Sequence, residues 1–260
     1  MAAKIIIRDL TKIFEGRKTS VKALAGVNLS IEEGEFLCIL GPSGCGKTTI
    51  LRIMAGLETA TSGEVVISQA DKSRPLNSMV FQEHSLFPWL TVIDNVAFGL
   101  EMRGFSKNER HHRAAAFLET VGLSRFSHHF PHQLSGGMKQ RVSLARAFVN
   151  DPEILLMDEP FASLDAQNKI LLQDELLKIW EECRKTVVYI THSIDEALLL
   201  GDRIVVMTAA PGIFKEVMEV QFGRPRDVFE IKAKPEFGEM SLKIWKILES
   251  EVRKAREAEL

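Results

Sequence analysis

The chain has little cysteine, little net charge and no long apolar run, and each shortage excludes something. Its three cysteines, Cys38, Cys45 and Cys183, form no CxxC pair and are odd in number. A disulfide framework or a cysteine-built zinc site is therefore not expected, and a reducing compartment suits the composition. Its 33 basic and 35 acidic residues leave a formal net charge of −2. That balance offers no electrostatic footprint for nucleic acid or anionic lipid, so nucleic acid is not an expected partner. No stretch approaches the ~20 consecutive apolar residues needed to span a bilayer. The opening "MAAKIIIRDL" lacks the apolar core of a secretory leader. Any service to a membrane is expected to pass through a partner. Internal repeats, low-complexity tracts and heptad runs are absent too. His111, His112, His128, His129 and His132 have no Cys or carboxylate beside them at zinc spacing, so no metal is expected there.

What is present is an ordinary globular composition, 45% hydrophobic and 26% charged over 260 residues. That length can bury a core as one large domain or as two lobes. Strand patterns fill the first third: "KIIIRDL", "VKALAGVNLSIEEG" and "GEVVIS". Phe36 to Leu40 differ in being apolar without a break, the pattern of a strand buried on both faces. A helical stretch follows over about residues 86–150. Buried-strand character then returns in "EILLMDEP" and "TVVYITH", with an amphipathic helix between them and "RIVVMT" afterwards. Ser193 with Glu196 reads as a capping box. Beyond Pro211 come a hairpin-like "GIFKEVMEVQF" and a helix with Phe237, Met240, Ile244, Leu248 and Val252 on one stripe. Strand–helix alternation broken by a helical insert suggests an α/β core carrying a second lobe.

"GPSGCGKT", Gly41 to Thr48, sits between a buried strand and a helix and matches a phosphate-binding loop. Glycines at Gly41, Gly44 and Gly46 let backbone N–H groups converge on phosphate oxygens, where side chains would collide. The helix that follows presents unpaired N–H groups and its positive end. Lys47 supplies a compact charge to the β- and γ-phosphates, and the Thr48 hydroxyl is a ligand for Mg²⁺. With Pro42, Ser43, Cys45 and Thr49, these residues form the expected nucleotide site. Cys45, at a helix start that favours the thiolate, is read either as a reactive thiol or as a small residue that fits.

Two further segments narrow the chemistry. "ILLMDEP" delivers Asp158 at a strand end, where it can hold Mg²⁺, and Glu159 one residue on, where it can polarise a water. "LSGGMKQR" places Ser135, Gly136 and Gly137 before a helix, a second anion-receptive start. One triphosphate needs one such cradle, so the second implies a site completed by another copy of the chain.

Taken in order, these segments resemble an ATP-binding cassette (ABC) transporter ATPase over about residues 4–210. "GPSGCGKT" resembles its Walker A loop, Gln82 in "VFQEH" the Q-loop, "LSGGMKQ" the signature and "ILLMDE" the Walker B strand. Asp165 in "ASLD" resembles the D-loop, and His192 in "THS" the switch histidine. Two departures are Met138, where the signature commonly has Gln, and Phe14, where the adenine-stacking aromatic is commonly Tyr.

The resemblance implies an α/β fold with a P-loop NTPase (RecA-like) core, an antiparallel β-subdomain and an inserted α-helical subdomain. The expected partition is an ATPase domain at residues 1–210, its helical subdomain at about 86–150. A C-terminal hairpin and amphipathic helix at residues 211–260 would pack on it. It implies ATP and Mg²⁺ as cofactors, with Thr48, Gln82 and Asp158 at the metal and Phe14 at the base. Glu159 is the implied general base, and His192 the residue that holds the γ-phosphate and attacking water in register. Ser135, Gly136 and Gly137 would act on the ATP of a second, head-to-tail copy, with Asp165 at the interface.

Local wording in "FQEHSLFPWLTVIDNVAFGL", "THSIDEALLLGDRIVVMTAAPG" and "FGRPRD" is similar to the nitrate, sulfonate and taurine import branch. Membership there implies a peripheral place on the cytoplasmic face of the membrane, permease subunits as partners and, indirectly, a solute-binding protein. Leu86, Phe87 and Trp89 are the expected permease contact. A cassette ATPase for another solute, a non-transport P-loop ATPase, and a kinase or nucleotide transferase are the competing readings.

Overall fold

A computed structural model describes residues 3–16, 19–83 and 85–258. Met1 and Ala2 of the leader reading, and His84 in the segment after Gln82, lie outside them. In chain order the strands and helices are β1 (Ala3–Glu15), β2 (Ser20–Glu32), β3 (Phe36–Leu40), α1 (Lys47–Met54), β4 (Ser62–Ile67) and β5 (Asn77–Val80). Next come α2 (Val92–Met102), α3 (Lys107–Thr120), α4 (Gly136–Val149), β6 (Ile154–Asp158) and α5 (Ala166–Cys183). The chain continues through β7 (Thr186–Thr191), α6 (Ile194–Leu200), β8 (Arg203–Met207), β9 (Phe214–Glu219), α7 (Val228–Lys232) and α8 (Pro235–Ala258).

The chain divides into two compact units, Met1–Ala70 with Ile179–Leu260, and Asp71–Lys178. The first unit holds an antiparallel sheet in the order β2-β1-β4. It also holds β3 between β7 and β8, all three parallel. Every residue of β3 and β7 is buried. Unbroken apolar runs have no polar face to turn to water, so the chain can use them only where both faces are covered. Phe36 of β3 packs edge-on against Trp180, ring centroids 5.4 Å apart. Arg203 at the start of β8 forks onto Glu35 through Nε at 2.8 Å and Nη2 at 3.1 Å, tying two strand starts together.

β9 pairs antiparallel with β8, Val205 opposite Val217. The hairpin expected after residue 211 thus takes its first strand from β8. The exposed charges of Lys215, Glu216 and Glu219 suit a single edge strand rather than two. The capping box at Ser193 is half formed. Ser193 Oγ accepts from the Glu196 N–H at 3.4 Å, but the Glu196 carboxylate accepts from Tyr189 Oη and Thr191 Oγ1 at 2.8 and 2.6 Å. Buried hydroxyls beside the helix compete better for that carboxylate than the cap backbone does.

In the second unit β5 and β6 pair in parallel, Asn77 opposite Ile154 and Val80 opposite Met157. Helices α2, α3 and α4 pack on one another, burying Val96, Leu100, Ala114, Leu118, Val142 and Leu144. Among the described residues no helix is long and apolar enough to cross a membrane.

Candidate nucleotide-binding site

In the first unit, β3 runs straight into the Gly41–Gly46 loop and α1 begins at Lys47. Gly46 caps the helix at φ 98°, and a Cβ on it would lie 2.8 Å from the Ala23 carbonyl oxygen. Both conformation and space demand glycine there. Lys47 is only 5% exposed. Its Nζ donates to the carbonyls of Gly41 and Pro42 at 2.8 Å each and lies 3.9 Å from Cys45 Sγ. The ammonium therefore closes the loop on itself, with Ser43 and Gly44 exposed at the tip. Cys45 is buried at 1% exposure, the setting of a thiol that packs rather than one that reacts with solvent. Thr48 and Thr49 stand half-buried in the first turn of α1.

His192 follows β7 and is exposed. It joins Gly41, Pro42 and Ser43 in lining a cavity of about 310 Å³, whose remaining wall includes Trp245, Leu248 and Arg256 of α8. That wall was not legible beforehand. The apolar stripe of α8 signalled packing but gave no sign of its partner. Phe14, 40% exposed at the end of β1, has the Lys12 ammonium 4.8 Å from its ring centroid.

The second unit carries the other expected residues. Asp158 ends β6 and is buried; Glu159 follows it, half-buried, with φ 44°. A side chain held in the left-handed region marks local strain, which collects at functional positions. Asp165 precedes α5 and binds Asn168 twice, accepting from its backbone N–H at 3.0 Å and from Nδ2 at 2.6 Å. Those hydrogen bonds hold the carboxyl below the usual carboxylate range. Ser135 caps α4, its Oγ accepting from the Met138 N–H at 3.4 Å. Ser135 and Gly136 are exposed, and Gly137 half-buried. Among the described residues, a Cβ built on Gly136 would meet no atom within 4 Å beyond its chain neighbours and its own helix backbone. The start of α4 thus offers backbone donors in open space.

Gln82 is exposed, Leu86 and Phe87 are half-buried, and Trp89 is 70% exposed. The buried amide of Asn95 fixes this segment. It accepts from the Phe87 N–H at 2.8 Å and donates to the carbonyls of Phe87, Leu90 and Thr91 at 3.0–3.1 Å. Phe87 packs against Phe98 with centroids 4.5 Å apart and planes tilted by 47°, and the Trp89 ring lies 5.6 Å from it. An Asn amid an apolar run was the one hint of this knot, and the sequence alone did not say what it would bind.

Thr48, Gln82 and Asp158 offer oxygen donors, the set that hard cations prefer. No group of three or more His, Cys, Asp or Glu arranged to hold a metal occurs among the described residues. Elsewhere in the helical lobe, His111 Nε2 lies 3.0 Å from Asp94 Oδ1.

Comparison with known proteins gives the family. The ABC transporter family model matches residues 24–162. An uncharacterised ABC transporter ATP-binding protein of Methanocaldococcus jannaschii is 52% identical over 98% of this chain and 95% of its own length. The nitrate import ATP-binding protein of a Synechocystis strain is 41% identical over 97% of each chain. The taurine import ATP-binding protein of Roseobacter denitrificans is 45% identical over 84% of this chain and 83% of its own. Among solved structures, a dimeric ATP-binding cassette bound to ADP and phosphate superposes with a TM-score of 0.74. It is 36% identical and covers 84% of this chain and 100% of that one. Its fold and its ATP hydrolysis follow from those relations: the chain belongs to the ABC transporter family, as an ATP-binding and ATP-hydrolysing subunit similar to those of the import branch.

Proposed function

We propose that the chain is the motor of an importer for a small anion of the nitrate, sulfonate or taurine kind, working as a head-to-tail pair beneath a separate permease. The observation that carries the paired arrangement is the exposed, glycine-opened start of α4 at Ser135. It is a phosphate-accepting surface that the chain's own loop, Gly41–Thr48, does not need.

In this reading the loop N–H groups and Lys47 bind the phosphates, and Phe14 stacks on the base. Ser135, Gly136 and Gly137 act on the ATP held by the second copy, with Asp165 ordering the interface. Glu159 accepts a proton from the attacking water, and His192 holds that water against the γ-phosphate. Thr48, Gln82 and Asp158 fit Mg²⁺ by donor type; when bound, the ion would neutralise charge developing on the phosphates. Leu86, Phe87 and Trp89 receive a permease helix, which would hold the subunit at the cytoplasmic face of the membrane. A solute-binding protein meets the permease rather than this chain. Residues 1–210 are proposed as the ATPase domain, with its helical part at about 86–150 and residues 211–260 packed against it.

Similarity to nitrate and taurine import proteins supports the anion class. The test is uptake by the reassembled system, with permease and binding protein in proteoliposomes and ATP inside. Nitrate, taurine or an alkanesulfonate is expected to enter as ATP is consumed. Transport of a solute that carries neither a nitrate nor a sulfonate group, with nitrate, taurine and alkanesulfonate all excluded, would sink the assignment.

A further inference from the structure

The back of the phosphate loop rests on a turn, and the turn rests on α8. A Cβ built on Gly212 would lie 2.1 Å from the Cys45 carbonyl oxygen, so the Gly212 backbone abuts the loop directly. Gly212 is clamped there by two bonds to β2. Its N–H donates to the Ala23 carbonyl at 2.9 Å, and its carbonyl accepts from the Ala25 N–H at 3.2 Å. The turn is closed internally, the Thr208 N–H donating to the Ile213 carbonyl and the Ile213 N–H to Thr208 Oγ1, each at 3.0 Å.

From the other side the turn is held by one buried carboxylate. Glu251 of α8, 2% exposed, accepts from the Ala209 N–H at 3.1 Å, from Lys215 Nζ at 2.7 Å and from Lys254 Nζ at 3.1 Å. Glu251 also lines a cavity of about 460 Å³ together with Ser43 and Gly44 at the loop tip and Ala209 and Pro211 of the turn. An unbroken chain of contacts thus runs from α8 through Glu251 and the 208–213 turn to Cys45. None of the residues that make these contacts is assigned to the chemical step.

We propose that Glu251 is a positioning residue for nucleotide binding: by fixing the turn behind Cys45, it lets the docking of α8 set how tightly the loop holds phosphate. This rests on the nucleotide role proposed for Gly41–Thr48. Phosphate is gripped by backbone N–H groups whose directions must hold to about 0.5 Å, and a loop backed by a loosened turn loses that definition. The loss is expected to fall on ground-state binding, because the contacts end on the loop that grips phosphate and not on a residue assigned to the chemical step.

The experiment compares Glu251→Ala, Glu251→Gln, Gly212→Ala and Lys47→Ala with the full chain. Arg253→Ala, at an exposed i,i+4 pair with Glu249 on α8, is the control. ATPase kinetics and equilibrium binding of a fluorescent ATP analogue are measured at 20 °C, below the melting transition of each variant. Glu251→Ala should raise KM and Kd about tenfold with kcat within about twofold. Glu251→Gln, which keeps an acceptor for Ala209 but drops the charge facing the two lysines, should fall between. Gly212→Ala should weaken binding in the same direction, and Arg253→Ala should change neither constant. If Glu251→Ala does not fold, Glu251→Gln is judged by the same criteria. A lower melting temperature with unchanged Kd and KM would overturn the proposal, as would an equal loss in kcat and affinity. Nucleotide binding that survives Lys47→Ala would overturn the loop assignment itself, whatever Glu251 does.

Discussion

Glu159 carries its side chain on a backbone with φ 44°, a conformation that costs a residue with a Cβ about 1 kcal/mol or more. Strand β6 delivers the carboxylate there at the expense of stability, so activity and stability should part company at this residue. Glu159→Ala and Glu159→Gly remove the same carboxylate, but only glycine relieves the backbone. The glycine variant is expected to be about 1 kcal/mol more stable than the alanine variant in urea unfolding, with both inactive. Equal stabilities would show that the backbone is relaxed. Residue identity at such positions was legible in the sequence, because the phosphate loop and the Asp-Glu pair are defined by composition and spacing. Conformation was not. Nothing in "MDEP" announces a left-handed Glu, and nothing in "GPSGCGKT" says that Lys47 turns back onto the Gly41 and Pro42 carbonyls.

Elements were legible where burial dictates pattern. The unbroken runs of β3, β6 and β7 could be read as doubly buried strands because no other environment accepts them. Less was legible where one side chain decides a fold locally. The segment before α2 is shaped by Asn95, and α8 is docked by Glu251; each is a polar residue whose partners lie at positions that periodicity does not connect. Asn95→Ala would strand several backbone groups and is expected to cost roughly 2–3 kcal/mol. Trp89→Ala, at a 70% exposed ring, should cost under about 0.5 kcal/mol. It should keep basal ATPase activity and lose stimulation by the permease; equal loss of both would remove Trp89 from the docking surface. Glu251 adds a pH dependence. Its two lysine partners and the Ala209 N–H lower its pKa from 4.5 to about 2, against the opposing effect of burial. A carboxyl depressed on folding stabilises fully above its unfolded pKa, and the contribution fades as pH falls from 4.5 towards 2. Wild-type stability should therefore drop over that window by up to about 3 kcal/mol more than that of Glu251→Ala. Parallel curves would show the latch to be unimportant.

The whole molecule was legible as an α/β protein whose chemistry is spread along the chain in a fixed order, from Gly41 to His192. The extent of its compact units was not. Asp71–Lys178 forms the second unit, wider than the helical stretch that composition marks, because the short strands β5 and β6 belong to it. Composition follows the helices alone, whereas compactness follows every backbone pairing. At this scale the central claim is hydrolysis by a pair of copies, each presenting the start of α4 at Ser135 to the other's nucleotide. Glu159→Gln, measured beside wild type for ATP turnover and for solution mass with ATP and Mg²⁺, tests it most directly. Negligible turnover is expected, with the 29.2 kDa chain trapped at twice its mass while ATP remains. Wild-type turnover in that variant, or a single-chain mass in the presence of bound ATP, would contradict it.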